Sequence, residues 1–306
     1  MRGGPPQIEA VAAVVERLAV LLAGGVAPAS AWGYLDDGSP MVAAAVAAAQ
    51  GGEPIADGIA RGAAASPAGE TREAWSALAA AWSVASDSGA PMAESLRRLA
   101  DSFRSLGLTQ RELQIALSGP SATARMVMAL PVIGILFGLA LGFNTLQTLF
   151  TTLPGLVLLA AGSALMLVGS RWNRRMVRRA TPRERTVGLA TDLMAIAMSG
   201  GGSIEVSKRR LETAWHTYLG GKPTELAEID EILDLAGRAG VPAAELLRSE
   251  AACRRRDARM EGQRVAAALA VRLMIPLGLC VLPAFMLVGV APLLLSIVSS
   301  TIGVLG

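Results

Sequence analysis

Catalysis needs titratable or nucleophilic side chains that converge, and this 306-residue chain offers few. Its only histidine, His216, stands beside Trp215 with no neighbouring ligand set and reads as a packed or surface residue. Cys253 lies in a polar helix and Cys280 in an apolar run, so neither a disulfide nor a metal-binding spacing is expected. Gly220-Gly221-Lys222-Pro223 lacks the hydroxyl and the upstream glycine spacing that a phosphate-binding loop requires. The expectation is a protein that is not an enzyme and uses no metal or cofactor. Energy for any work must then come from a partner.

Three groupings of charged side chains bear on partners. Asp87, Glu94, Arg97 and Arg98 surround a helix start at Gly89-Ala90-Pro91. An acid there is favoured by the helix dipole whatever else it does, yet this cluster is the best candidate for binding a partner. Glu225, Glu228, Asp230, Glu231 and Asp234 alternate with Leu226, Ile229, Ile232 and Leu233, so the apolar set is expected inward and the acids toward water. Arg254-Arg255-Arg256, with Asp257, Arg259, Glu261 and Arg264, reads as a solvated helix face that also suits acidic headgroups.

The elements that carry these residues follow from composition. The chain is 52% hydrophobic but still 17% charged, against about 25% charged in a soluble domain. That balance fits a membrane protein with sizeable aqueous parts. A net charge of +3 gives no reason to expect a nucleic-acid partner. Residues 1–17 carry Glu9 and Glu16 and no continuous apolar core, so no cleavable signal peptide is expected.

Three runs approach or exceed the roughly 20 apolar residues a spanning helix needs: Met126–Leu149, Leu153–Ser170 and Leu269–Val298. Seven arginines lie between Arg171 and Arg185, Arg125 precedes the first run and Arg272 opens the third, while 150–152 and the tail after Ser299 are uncharged. The positive-inside rule then sets the N-terminus inside and the C-terminus outside. Trp172 falls where an interfacial aromatic is expected. In the first run Gly134, Gly138 and Gly142 share one helical face, a smooth seam for helix packing. Asn144 and Gln147 fall near the headgroups. Pro131, Pro276, Pro283 and Pro292 are expected to kink or open the spans.

The polar remainder divides into two similar pieces. Helical periodicity marks Ile8–Leu22, Met41–Ala49, Glu73–Ala85 and Met92–Leu106, separated by Gly and Pro turns. After the second span the pattern returns. Leu193–Met198 leads into Ser199-Gly200-Gly201 as Leu18–Leu22 leads into Ala23-Gly24-Gly25. Ser88-Gly89-Ala90-Pro91 then matches Ala239-Gly240-Val241-Pro242, and Arg104 falls opposite Arg255. One supersecondary unit used twice is the reading. The expected fold is an all-α membrane protein with two homologous cytoplasmic helical bundles and three transmembrane helices. Its parts are a first lobe at 1–124, a hairpin of two spans at 125–170, a second lobe at 171–268, and a third span with an external tail at 269–306.

This layout resembles the type II secretion system F-domain family, the inner-membrane platforms of type II secretion and type IV pili. Ser86-Asp87-Ser88-Gly89-Ala90-Pro91 with Leu96-Arg97-Arg98-Leu99-Ala100 looks like the second half of the lobe signature. The stretch Val271–Phe285 is similar to the ends of actinobacterial Tad-type platforms, and the whole resembles a fused pair of Tad/Flp pilus platform subunits. Many members carry Glu before the glycine step, where this chain has Asp87 in one lobe and Arg238 near the equivalent place in the other. The resemblance implies a multi-pass protein of the bacterial inner membrane. Its partners would be a cytoplasmic secretion or pilus assembly ATPase, pilin or pseudopilin, membrane lipids, and further copies or a platform partner. A small oligomeric transporter is the competing reading. No span carries a charged residue near its centre, where a transport path usually has one.

Overall fold

The computed structural model describes residues 7–35, 38–67, 69–140, 150–180, 187–223, 225–292 and 294. Among them every regular element is helical. The chain divides into two compact units, Met1–Arg111 with Arg183–Met260, and Glu112–Pro182 with Glu261–Gly306.

In the first unit, α1 (Gln7–Ala23) presents Val11, Val15 and Leu18 inward at helical spacing, all fully buried. Pro28 sets the entry to the short α2 (Pro28–Ala31), and Trp32–Tyr34 continue it as a 3₁₀ turn. The Ser39 hydroxyl accepts from the Met41 N–H at 3.3 Å and so caps α3 (Pro40–Gly51). Helix α4 (Ile55–Ala65) packs tightly on α3, because Gly58 and Gly62 leave no side chain between the backbones.

Helix α5 (Glu70–Ser88) is the centre of the unit. It buries Trp75, Leu78, Trp82 and Val84, and a run of alanines from Ala77 to Ala81 closes the gaps between them. A helix buried on nearly all sides needs partners on every side. Helices α1 and α4 cover part of it. Beyond α6, described below, the chain continues as α7 (Leu153–Ala180), α8 (Leu189–Ser199), α9 (Ile204–Ala214), α10 (Leu226–Ala239) and α11 (Ala243–Arg272). Of these, α8, α9 and the π-helical turn Trp215–Leu219 after α9 cover the rest of α5. The Trp32 and Trp82 rings meet at 5.3 Å and 60°.

The sequence pattern predicts two bundles. The core instead runs unbroken from α1 through α5 to Leu193, Leu211, Ile229 and Leu247 of the second half. The physical reason is α5, whose apolar surface exceeds what its own half can cover. The second half is also the shorter, by about the length of the α3–α4 hairpin, which has no counterpart there among the described residues.

Helix α6 (Met92–Ala140) turns Leu96, Leu99 and Phe103 inward and then runs on into the first expected span. Residues 141–149 lie outside the described residues. So do Gly142, Asn144 and Gln147, and the surroundings of Gly134 and Gly138.

Two helices among the described residues are long and apolar enough to cross a membrane, Leu153–Val177 in the second unit and Ala243–Val290, which belongs to the second unit from Glu261 on. Helix α7 leaves Leu153, Leu156, Val157, Leu167 and Val168 uncovered, an apolar surface that suits lipid better than water. Its other face is lined by Gly155, Gly162 and Gly169, seven residues apart and all buried. A Cβ at Gly162 would lie 2.1 Å from the Val288 Cγ2, and one at Gly169 2.9 Å from the Cys280 Cβ. A close helix approach therefore lies between α7 and the last apolar segment. Within that segment Leu277–Val281 and Met286–Val290 are π-helical. Leu279 and Val288, their central residues, each precede a proline by four positions, Pro283 and Pro292. A proline clashes with the carbonyl four residues before it and gives it no N–H. A widened turn moves that carbonyl aside.

Candidate partner-binding site

Helix α5 ends because Gly89 adopts φ 70°, a left-handed conformation that a Cβ disfavours. The Gly89 and Ala90 N–H groups both return to the Ala85 carbonyl, and α6 starts two residues later. The second half repeats this stop. Gly240 has φ 67°, the Gly240 and Val241 N–H groups return to the Ala236 carbonyl, and α11 starts at Ala243.

The four residues singled out in the sequence surround the first of these turns, and all are exposed. Arg98 reaches back one helical turn to Glu94 at 2.5 Å. The Ser83 hydroxyl donates to Asp87 at 3.3 Å. The Arg98 hydrogen bond and charge outweigh a burial effect and, with weaker help from Arg248 and Arg97, hold the Glu94 carboxyl below its ordinary value.

Arg248 belongs to the second half, and it occupies the position equivalent to Arg97. In the same register Glu245 matches Glu94 and Arg238 matches Asp87. Arg248 donates to Glu245 at 2.6 Å and to the Ser199 hydroxyl at 2.5 Å. Arg238 pairs with Asp234 at 2.9 Å. The first turn meets the second half at the end of α8, next to Ser199. A Cβ at Gly200 would lie 2.0 Å from the Ser88 carbonyl oxygen, so only glycine fits. The candidate site is thus a composite of two related helix starts. Glu245 and Arg248 were discoverable from the repeat, and the pattern of either half alone does not reveal them.

Two further polar groupings fasten the halves and a third closes the second half on itself, and the sequence reading does not pair any of them. Asp192 on α8 pairs with Arg255 on α11 at 2.6 Å and accepts from the Ser102 hydroxyl on α6 at 3.1 Å. Burial pushes the Asp192 carboxyl up, against the opposing pull of Arg255. The Tyr218 hydroxyl donates to Asp57 at 2.8 Å, and burial followed by that carboxylate raises the phenol to about 12. Glu225 accepts from the Gly188 N–H at 3.0 Å, the Thr191 N–H at 3.3 Å and the Thr191 hydroxyl at 3.1 Å, satisfying donors at the start of α8.

One sequence expectation holds and one changes. In the acidic stretch Glu228, Asp230, Glu231 and Asp234 are exposed while Ile229 and Leu233 are buried, and several of the acids also have partners. Besides Glu225, Glu228 pairs with Arg254 and Asp230 with Lys208. The arginine run is not a uniformly solvated face, since Arg254 and Arg255 are both engaged and partly covered. The reason is that α8, α9, α10 and α11 bring these side chains within ion-pair reach of one another. His216 is exposed. Among the described residues no group of three or more His, Cys, Asp or Glu is placed to hold a metal ion.

One signal for the Asp192 pair was present in the chain. Glu16 and Asp192 both stand eight residues ahead of the first glycine in a Gly-Gly step, and Arg104 and Arg255 are equivalent. The structure forms both pairs, Glu16 with Arg104 and Asp192 with Arg255. The repeat therefore keeps an ion pair as well as a turn.

No curated protein and no solved structure matches the chain. Residues 14–140 match the family model described as type II secretion system (T2SS), protein F. The matched stretch runs from within α1 to the end of α6 and contains the first turn with its four charged residues. The likeness to the type II secretion system protein F family therefore lies in residues 14–140, the helices α1–α6.

Proposed function

We propose that the chain is the inner-membrane platform of a Tad/Flp-type pilus or type II secretion machine. Its helical unit docks a cytoplasmic assembly ATPase, and its apolar helices receive pilin or pseudopilin segments. The work is mechanical. ATPase motion acts on the helical unit, and the platform lifts a subunit from the bilayer into a fibre. The chain itself hydrolyses nothing. The observation that carries this reading is the protein F domain match over α1–α6, in a chain that also holds two helices long enough to cross a membrane.

The fused-pair reading draws support from the duplicated Gly89 and Gly240 turns and the duplicated ion pairs. In that reading the N-terminus is inside, the third span leads outward, and both lobes face the ATPase. The contact surface is the composite of Glu94, Arg97 and Arg98 with Glu245 and Arg248.

The test is Glu94→Lys with Arg97→Glu in the full chain, with helicity checked by circular dichroism. ATPase co-purification and fibre assembly are both expected to fall sharply while membrane insertion stays normal. Retention of both in the variant would remove this surface from the mechanism.

A further inference from the structure

The second unit holds a groove of about 610 Å³ between the last turns of α7 and one face of α11. Trp172 and Met176, one helical turn apart, form one wall. Glu261, Arg264, Leu269 and Arg272 are among the residues of the other. Their spacing of three, five and three residues keeps the acid and both arginines on a single helical face. The volume falls within the about 300–1,000 Å³ typical of small-molecule sites.

Its charges are unbalanced. Two guanidinium groups face the groove against one carboxylate. Among the described residues neither Arg264 nor Arg272 has an ion-pair partner. Just past Arg272 the surface becomes apolar and open: Val271, Met274 and Ile275 are 68%, 70% and 50% exposed. On the α7 side Leu167 and Val168 are uncovered, and Trp172 is 42% exposed. The groove thus sits where a basic helix end gives way to an apolar one, with an indole at the boundary. A polar, cationic pocket continuous with an apolar strip fits an amphiphile with an anionic head better than a soluble anion.

We propose that this groove binds the phosphodiester headgroup of an anionic phospholipid. Arg264 and Arg272 hold the phosphate, Trp172 packs at the level of the glycerol, and an acyl chain lies along Val168 on α7 and along Met274. Glu261 limits the net charge to about one positive unit, so the preference over a zwitterionic lipid is about fivefold, the value for one basic residue at an anionic surface. The proposal rests on α7 and the last apolar segment lying in a bilayer. It does not depend on the platform function.

The experiment uses the full chain in phosphatidylcholine nanodiscs and reads quenching of Trp172, isolated as the difference from a Trp172→Phe protein. Brominated phosphatidylglycerol or brominated phosphatidylcholine is titrated in as a minor component. Quenching by the choline lipid reports insertion, and its absence would overturn the bilayer premise itself. The expected result is half-maximal quenching at about fivefold lower phosphatidylglycerol than phosphatidylcholine. Arg264→Gln with Arg272→Gln abolishes the difference, and Glu261→Gln enlarges it. Equal quenching by the two lipids, or a preference that survives loss of both arginines, would overturn the site. Loss of the preference on adding millimolar inorganic phosphate would reassign the groove to a soluble anion.

Discussion

The repeated ion pair supplies an internal control for its own energetics. Asp192 and Arg255 keep 16% and 14% of their side chains exposed, whereas Glu16 and Arg104 keep 41% and 47%. Replacing Arg255 with Met leaves the Asp192 carboxylate covered and without its cation. Such breakage typically costs about 3–5 kcal/mol, and the residual exposure and the Ser102 hydrogen bond place this case near the lower end. At about 2–4 °C per kcal/mol for a unit of this size, melting should fall by roughly 6–12 °C. Arg104→Met breaks the exposed equivalent and should cost about 0–1 kcal/mol, a shift of under about 4 °C.

The two variants also differ in pH response. Burial already raises the folded-state Asp192 value above its unfolded one. Its favourable contribution is therefore fully present below the unfolded value and is lost as pH rises through the folded value. Without Arg255 the folded value moves further up, so the loss deepens on the alkaline side and shrinks as the carboxyl protonates. The assay is thermal loss of helicity by circular dichroism in detergent at pH 5, 6.5 and 8. Arg255→Met should be closest to the parent at pH 5. An Arg104→Met protein as unstable as Arg255→Met, or an Arg255→Met deficit that does not shrink with acid, would refute the argument.

Other perturbations test the packing. Gly200→Val drives a Cβ into the Ser88 backbone, so it should destabilise the helical unit by about 1–3 kcal/mol or more, read as a lower melting temperature and faster proteolysis. Gly162→Leu should weaken the approach of α7 to the last apolar segment. Adding Val288→Ala should restore part of it, because the added carbon meets the Val288 methyl at 2.1 Å; engineered cysteine cross-linking across that seam reports the outcome. Gly89→Ala and Gly240→Ala should each cost about 1 kcal/mol in chemical unfolding, since both glycines hold left-handed backbone.

Helix positions and turn chemistry were legible in the chain. Val11, Val15 and Leu18 on α1 and Leu96, Leu99 and Phe103 on α6 advertise their inward faces by spacing alone. Gly89 and Gly240 announce helix ends because few other residues adopt that conformation. How the halves meet was not legible. Local periodicity says that α5 is unusually apolar but not which distant helix covers it. The pairings of Asp192 with Ser102 and of Tyr218 with Asp57 join residues 90 and 161 positions apart, and short motifs carry no such information. Glycine seams were half legible. The i, i+4 stripe at Gly134, Gly138 and Gly142 stands out, whereas Gly155, Gly162 and Gly169 recur every seven residues and are harder to see beside leucines. In the candidate site, Asp87, Glu94, Arg97 and Arg98 are conspicuous as local charges, while Glu245 and Arg248 emerge only when the two halves are overlaid.

The widened turns of the last apolar segment set its winding. Pro276, Cys280, Ala284, Val288 and Pro292 are all buried, and they recur every four residues. In a regular α-helix residues four apart drift by about 40° per step, so a stripe of this length would wander by roughly 160° and end on the far side. The π-helical stretches at Leu277–Val281 and Met286–Val290 underwind the backbone and keep the stripe straight. The contact face is therefore encoded by where the prolines stand as much as by which side chains are apolar. Exchanging Pro283 and Pro292 for alanine would leave hydropathy almost unchanged. It would let the segment rewind, turning Val288 away from Gly162 and presenting a different edge to the lipid.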